Sequence, residues 1–280
     1  MSWRARKAPK AATGSASGPG TDPAPAPLPP SPPGGPEGGA ELRSAYYAGR
    51  PGRAGDWWTL LHPPYTAWHL AYVVIGASLA PHVQVSRLVA TLLAFFFAVG
   101  LAAHALDELH GRPLGTAIPR GALVAVSAVG LAGAVALGVI GVTRVGWVLV
   151  PFIVFGPLLV VAYNAELFGG LVHTDAGFAL AWGAFPVLTA YVAQAQRLSL
   201  PAVLAATGAV GLSAAQRALS TPARFVRRHV TDVNGTVTLV DGSTRAVDRA
   251  TLIQPAERAL RLLSWAVVLF AAALAVARLT

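Results

Sequence analysis

Four acidic residues stand out because they lie in an otherwise apolar part of the chain. From position 57 to position 231 the only carboxylates belong to Asp107, Glu108, Glu166 and Asp175. A carboxylate near hydrocarbon costs a few kcal/mol or more, so each of these groups needs a cavity, a bundle interior or a water interface. They are therefore the first residues to consider for chemistry.

The first two of these acids share a helical segment with histidines. His104, Asp107 and Glu108 are spaced i, i+3 and i+4, and this spacing places them on one face of a helix. We predict a functional role for His104 and Asp107, which face the same way one turn apart. The alternative is that the acids and the nearby His110 only cap the helix end in the headgroup layer, and for His110 we favour capping.

A second polar group follows the fourth apolar segment of the sequence. Its carboxylates and carboxamide suit a hard cation such as Mg²⁺, and its imidazole would suit Zn²⁺ or iron. The spacing contains no HExxH pattern, and Asp175 could equally cap the helix that follows it. The order of the apolar segments places this group on the same membrane face as the first. Its members are Tyr163, Asn164, Glu166, His173 and Asp175.

The elements that must position these residues are membrane-spanning helices. The chain is 54% hydrophobic and 12% charged, whereas a soluble domain has roughly 25% charged residues. Its mean hydropathy is +0.56. Because backbone groups in lipid must bond internally, about 20 consecutive apolar residues indicate a spanning helix. We predict an all-α, polytopic transmembrane bundle of about seven helices, at 63–82, 86–106, 121–142, 147–164, 176–196, 201–219 and 260–278.

The distribution of arginines orients this bundle. A net charge of +9 would suggest nucleic acid in a soluble protein, but arginines at helix ends meet anionic lipid headgroups and follow the positive-inside rule. With a cytoplasmic N-terminus, only Arg87, Arg144, Arg197 and Arg278 fall on the outer side. We predict a multi-pass protein of the plasma membrane that contacts anionic headgroups and no nucleic acid. No feature of the sequence specifies an oligomeric state.

Two segments differ from this apolar pattern. Residues 1–42 are rich in Pro, Gly and Ala and have few large apolar side chains, so we predict a disordered cytoplasmic tail before a transmembrane domain at 43–280. Residues 230–250 contain two β-prone runs around Asp241 and Gly242, which predicts a cytoplasmic hairpin with a type I′ turn. This hairpin would either rest on the helix ends as a covered loop or act as a lid.

The end of the second predicted helix resembles a motif of the UbiA-type intramembrane prenyltransferases. That motif has the form Asn-Asp-x-x-Asp-x-x-x-Asp-Arg, followed by a Pro-Leu-like turn and a Ser or Thr. Here His104 stands for the first Asp, Asp107 matches the second, Gly111 replaces the third and Arg112 matches the Arg. Tyr163 and the stretch 183–191 resemble the fourth and fifth helices of that family, so the resemblance covers about residues 58–200.

The resemblance implies a helical bundle with a lipid-facing cavity and a polar cytoplasmic mouth, in which Mg²⁺ binds a prenyl diphosphate. The expected substrate is a membrane lipid or isoprenoid, and the expected reaction is transfer of a prenyl or related lipid group. The chain departs from the family at 213–222, where no carboxylate occurs. The predicted residues are Asp107, His104 and Glu166 for catalysis, Arg112, Asn164, Tyr163, Arg217 and Arg224 for substrate, and Asp107, Glu108, Glu166, Asp175 and His173 for metal.

Two other functions stay open on the sequence alone. The same scaffold could carry a metal-dependent enzyme of another class, with His104, Glu108, Glu166 and His173 around Zn²⁺ or iron. The chain could also be a non-catalytic membrane protein that binds a lipid or quinone, or that serves as an assembly partner. These functions differ in their need for Asp107. An enzyme needs its carboxylate as a reactive group, and a protein that only binds a lipid does not.

Overall fold

The computed structural model describes residues 44–280, and the predicted tail at 1–42 lies outside this range. The described chain is a helical bundle with one small hairpin. Eleven α-helical segments follow one another in chain order within the described residues. They are α1 Arg53–Leu60, α2 Pro63–Ser78, α3 Val85–Phe95, α4 His104–Leu109, α5 Arg120–Val145, α6 Val150–Asn164, α7 Leu167–Gly170, α8 Asp175–Ala179, α9 Phe185–Ala195, α10 Leu200–His229 and α11 Arg249–Leu279.

Six continuous helical stretches of the described chain are long and apolar enough to cross a membrane. They coincide with six of the seven predicted spans, so the predicted helical bundle is confirmed, with six helical stretches that could span a membrane. The predicted count of seven is not confirmed, because the segment predicted at 63–82 forms the 16-residue helix α2. The six stretches are Val85–Leu109, Arg120–Val145, Trp147–Asn164, Asp175–Ala195, Leu200–His229 and Arg249–Leu279.

Helix α2 packs at the centre of the bundle, between α9 and α11. Trp68 and Tyr72 are among its largest fully buried side chains. The indole Nε1 of Trp68 donates to the hydroxyl of Tyr72 at 2.6 Å, and that hydroxyl lies 3.3 Å from the carbonyl oxygen of Ala209 on α10. This network satisfies two polar groups that would otherwise be unpaired in an apolar interior.

The close approach of α2 to α9 depends on Gly76. A Cβ atom at this position would lie 2.2 Å from the carbonyl oxygen of Val187. We expect Gly76→Ala to lower the free energy of unfolding by about 3 kcal/mol, at the upper end of typical overpacking effects. Gly211→Ala on α10 is the matched control, because a Cβ there meets no atom within 4 Å. Equal unfolding midpoints for the two variants in mixed micelles would contradict this packing.

Two π-helical segments interrupt the long stretches that carry α4 and α9. The first covers Phe96–Ala103 and the second covers Leu180–Ala184. Each supplies a carbonyl oxygen that a histidine contacts: Nδ1 of His104 lies 3.3 Å from the oxygen of Gly100, and Nδ1 of His69 lies 3.0 Å from the oxygen of Trp182. Widened turns of this kind occur frequently at functional sites.

Helices α10 and α11 are longer than the sequence predicted. The predicted sixth span ends at position 219, but α10 continues past Pro222 to His229, and α11 begins at Arg249 instead of position 260. The hydropathy pattern marks only the part of a helix that lies in hydrocarbon, so it misses polar turns beyond it. Arg224, Arg227 and Arg228 therefore belong to a helix and not to a loop.

The predicted hairpin is present, with strands β1 Gly235–Thr238 and β2 Thr244–Val247 in antiparallel register. Its turn differs from the predicted type I′, which needs positive φ at both central residues. Only Gly242 has positive φ, at 80°, and its N–H donates to the carbonyl of Leu239. Both strands are exposed along almost their whole length, so the hairpin packs little against the bundle.

Candidate functional site

A polar cluster lies where α4 and α10 end on one side of the bundle. Arg224 and Arg228 stand one turn apart on α10, and Asp107 stands in the last turn of α4. The segment before α2 adds Tyr47 and His62, on which the charges of both arginines act. We call this group, together with His104, the arginine–aspartate cluster: Tyr47, His62, His104, Asp107, Arg224 and Arg228.

The aromatic members of the cluster outside the membrane stretches are uncharged at neutral pH. Burial raises the pKa of the Tyr47 phenol, and the nearby charges of Arg228 and Arg224 oppose this rise only in part. Burial also lowers the pKa of the His62 imidazole well below its ordinary value, and His104 and the arginines act in the same direction. Tyr47 and His62 therefore contribute hydrogen-bonding groups without charge, beside two guanidinium groups and one carboxyl.

His62 has a strained backbone and an unused ring nitrogen. Its φ of 46° and ψ of 56° lie in the left-handed region, directly before the two prolines that begin α2. Its ring stacks on that of His104 at 4.2 Å between centroids and 15° between planes. Its Nε2 is buried without a hydrogen-bond partner among the described residues. Strain and an unsatisfied polar group in one residue are typical of a functional position.

The two arginines of the cluster also have hydrogen-bonding capacity to spare. Nε of Arg228 is buried without a partner within the described chain, and Arg224 makes only a long contact of 3.5 Å to the hydroxyl of Thr221. Arg227 differs, because its guanidinium binds both carboxylate oxygens of Glu257 on α11. A buried guanidinium donor normally finds a partner, so Arg228, with the more exposed Arg224 one turn before it, is placed to bind an anion.

A second network lies beside the cluster and contains several predicted site residues. Arg217 donates to Asp175 Oδ1 at 2.6 Å and to the hydroxyl of Tyr163 at 2.8 Å. The ring of His173 stacks on Tyr163 at 4.5 Å, and its Nδ1 lies 2.9 Å from the carbonyl oxygen of Tyr163. The charges of Arg224 and of the cluster carboxyl also act on Tyr163, so this network adjoins the cluster.

Glu166 lies between the two polar groups that the sequence predicts on one membrane face, at the end of α4 and after α6. Its carboxylate lies 4.0 Å from Nε2 of His110 and 3.9 Å from Nε2 of His173. These distances exceed hydrogen-bonding range, and the Glu166 side chain is 47% exposed. The contacts nevertheless place the end of α4 beside the segment that follows α6. The structure thus brings the two predicted polar groups to one end of the bundle.

Glu108 and Arg112 stabilise the loop between α4 and α5 through hydrogen bonds. The Glu108 carboxylate is fully buried and accepts hydrogen bonds from the backbone N–H groups of Leu114 and Thr116, both at 2.9 Å, and from the Thr116 hydroxyl at 2.8 Å. The guanidinium of Arg112 donates to the carbonyl oxygens of Thr116 and Ile118. These residues were predicted to bind metal and substrate, and the structure uses their polar groups to shape the chain between α4 and α5.

The other predicted site residues make hydrogen bonds or ion pairs with neighbouring groups of the protein. Asn164 donates its amide to the carbonyl of Val160 in its own helix, at 2.7 Å. Asp175 pairs with Arg217, and Glu108 binds its loop. Among residues 44–280, no group of three or more His, Cys, Asp or Glu side chains is arranged to hold a metal ion. Binding of Mg²⁺ by the predicted residues therefore stays a prediction.

Three members of the cluster were not predicted as site residues: Tyr47, His62 and Arg228. A signal for Arg228 exists in the sequence, because polar residues recur on α10 at helical spacing and define one face. That face is formed by Ser213, Gln216, Arg217, Ser220, Arg224 and Arg228. No comparable periodicity marks Tyr47 or His62, which reach the cluster through the path of the chain before α2.

Comparisons with known proteins identify no relative of this chain. No protein-family model matches the sequence, and neither a curated protein nor a solved structure is significantly similar to it. The resemblance to UbiA-type prenyltransferases stays a prediction based on the motif around Asp107.

Proposed function

We propose that this multi-pass membrane protein binds a lipid through a phosphate or diphosphate group at the arginine–aspartate cluster, and that it transfers a prenyl or related lipid group from that diphosphate. The single observation that carries the proposal is the pairing of Arg224 and Arg228 on one helix face with spare guanidinium donors. Arginine presents a planar fork of donors that matches phosphate oxygens. The cluster holds two guanidinium groups and one carboxyl. The carboxylate of Glu108 also acts on Arg228, but it already accepts three hydrogen bonds from its own loop, so the cluster favours an anion.

In the proposed reaction, negative charge develops on the diphosphate, close to the two arginines of the cluster. The bond between the first carbon of the prenyl group and the diphosphate oxygen breaks, and both electrons leave with the diphosphate. The carbon then forms a bond to a nucleophilic acceptor, which loses a proton to a base. Arg224 and Arg228 would neutralise the charge that develops on the leaving group, and this is the electrostatic form of catalysis. Asp107 is the carboxyl beside them that could accept the proton.

The proposed orientation follows from the distribution of charge. Besides the cluster arginines, this side of the bundle carries Arg245, Arg258 and Arg261. Such an excess of arginine is typical of the cytoplasmic side of a membrane protein. We therefore propose that the cluster faces the cytoplasm, in the plasma membrane, where a charged lipid headgroup could approach it from the inner leaflet.

A second candidate function is lipid binding without catalysis. It is favoured by the contacts of two of the predicted acids, because Glu108 holds a loop and Asp175 pairs with Arg217. The lipid-binding part of the proposal is the same in both cases. The two functions differ only in whether the bound diphosphate lipid is consumed.

The proposal is tested with the protein reconstituted in phosphatidylcholine nanodiscs. Binding of radiolabelled geranylgeranyl diphosphate is compared with binding of the uncharged alcohol, and turnover is followed with aromatic and lipid acceptors, with and without Mg²⁺. Preferential binding with product formation supports transfer. Preferential binding without product, across all acceptors, supports the non-catalytic function. Equal binding of the diphosphate and the alcohol would contradict both.

Asp107→Asn separates the two functions further. This variant removes a negative charge beside two arginines, so affinity for the diphosphate lipid should stay equal or rise a few-fold. Turnover should fall by roughly 100-fold or more, because a positioned proton acceptor contributes about 10²–10⁴-fold. Binding and single-turnover assays on the same preparation provide both values. A loss of affinity with unchanged turnover would exclude the proposed role of Asp107.

A further inference from the structure

A large cavity lies in the half of the bundle remote from the arginine–aspartate cluster. Its volume is about 620 Å³, and its walls come from α3, α5, α6 and α9. Along the continuous helical stretch Val85–Leu109 the cavity begins near Ser86 and ends near Val99, whereas the cluster begins at His104. At a rise of 1.5 Å per residue, Arg87 at the mouth and Asp107 are separated by about 30 Å. The mouth therefore opens at the opposite membrane face.

The walls of the cavity are apolar and its depth suits a lipid chain. Small and aromatic side chains line it, including Ala94, Ala98, Gly138, Phe152 and Phe185. From Ser86 to Val99 the cavity extends for about 20 Å, which is more than half of the ~30 Å hydrocarbon core of a bilayer. Ile140 at its edge is 59% exposed, so the cavity is accessible from the side where lipid would lie.

The mouth of the cavity is positively charged. Arg87 and Arg144 both contribute to it, and none of the residues that line the cavity is an Asp or a Glu. The guanidinium of Arg87 is fixed by three carbonyl oxygens, including that of Arg144 at 2.8 Å. The side chain of Arg144 is exposed and has no hydrogen-bond partner within residues 44–280. Nearby Trp147 is 81% exposed, as is typical of the aromatic belt at headgroup level.

We propose that this cavity binds one anionic phospholipid of the leaflet that it faces, with an acyl chain between α3, α5 and α6 and its phosphate at Arg144. Charge complementarity selects the headgroup, because two arginines without a nearby acid favour a lipid with net negative charge over a zwitterionic one. Ser86, a hydroxyl at the mouth with no partner in the described chain, adds a donor. The site is independent of the proposed transfer reaction at the other face.

The test measures phospholipid retention by native mass spectrometry of protein purified from phosphatidylcholine nanodiscs that contain graded amounts of phosphatidylglycerol. The wild type should retain one phosphatidylglycerol in at least about tenfold preference over phosphatidylcholine. Arg144→Gln should lower this affinity about tenfold, which corresponds to about 1.4 kcal/mol, because it removes a charge-assisted hydrogen bond to the phosphate. Arg197→Gln, which removes an exposed arginine outside the cavity, is the matched control and should change affinity by less than about twofold.

Ala98→Phe places a large side chain in the cavity and should abolish retention of phosphatidylglycerol. If Ala98→Phe does not fold, the result for Arg144→Gln decides whether the cavity binds this lipid. Equal losses in Arg144→Gln and Arg197→Gln, or equal retention of phosphatidylcholine, would overturn the proposal. Displacement of phosphatidylglycerol by an equimolar polyprenyl phosphate would show that the cavity binds a polyprenyl lipid instead of a phospholipid. Unchanged retention in a variant that lacks Arg224 and Arg228 would confirm that this site does not depend on the cluster.

Discussion

Simultaneous replacement of Arg224 and Arg228 by glutamine is expected to lower the affinity for a diphosphate lipid by at least about 100-fold. Each guanidinium offers a charge-assisted hydrogen bond worth roughly 1.5–3 kcal/mol, and two such contacts together correspond to at least about 3 kcal/mol. A loss of this size is about two powers of ten in the dissociation constant. Equilibrium binding of radiolabelled geranylgeranyl diphosphate in nanodiscs measures it directly.

The control for this variant must remove charge from the same face without touching the cluster. Arg258→Gln satisfies this, because Arg258 is exposed on α11 at the same end of the bundle. Arg227 does not serve, since its guanidinium binds Glu257 and its replacement would leave a buried carboxylate unpaired. We expect Arg258→Gln to change affinity by less than about threefold, the effect of one screened surface charge. Equal losses in both variants would indicate attraction to general surface charge instead of a site.

The hydropathy pattern predicts the helical bundle well because bilayer thickness sets the length of an apolar run. It predicts helix ends less well, and α10 shows why. Arg224 and Arg228 lie past Pro222, where the sequence suggested a break, but the helix continues through the proline. A proline removes only one backbone donor, and surrounding contacts can compensate for that loss in a membrane helix. Arg224 was therefore predicted as a substrate residue but placed in the wrong kind of element.

The meeting of the two polar groups was predictable, but the roles of their members were not. Chain order alone places the ends of α4 and α6 at one face, and the contacts of Glu166 with His110 and His173 agree with this. Whether an acid binds a ligand or its own loop depends on loop geometry that spacing does not encode. Asp107 and Glu108 are neighbours in sequence, yet only Glu108 points its carboxylate at backbone N–H groups.

Two of the cluster residues that sequence reasoning missed, Tyr47 and His62, depend on tertiary structure. His62 adopts a left-handed backbone conformation that non-glycine residues rarely take, so no local rule predicts where its ring points. Tyr47 lies in the segment before α1, and its ring contacts those of Tyr65 and His62. Both residues follow from the path of the chain and not from a periodic pattern.

Glu108→Ala is expected to lower the free energy of unfolding by about 3–5 kcal/mol. The substitution leaves two buried backbone N–H groups, of Leu114 and Thr116, without an acceptor, and each unsatisfied buried donor costs about 1–3 kcal/mol. It also removes the partner of the Thr116 hydroxyl. Unfolding in mixed micelles, followed by circular dichroism, measures the change.

Glu166→Ala is the matched control for this prediction, because it removes a carboxylate from the same end of the bundle where the side chain is half-exposed. Its contacts with His110 and His173 are long, so its loss should change the free energy of unfolding by less than about 0.5 kcal/mol. Glu108 would then be an acid on which the fold depends, whereas the fold would not depend on Glu166. If Glu108→Ala were as stable as Glu166→Ala but lost lipid diphosphate turnover, Glu108 would instead act in the site itself, as the sequence first suggested.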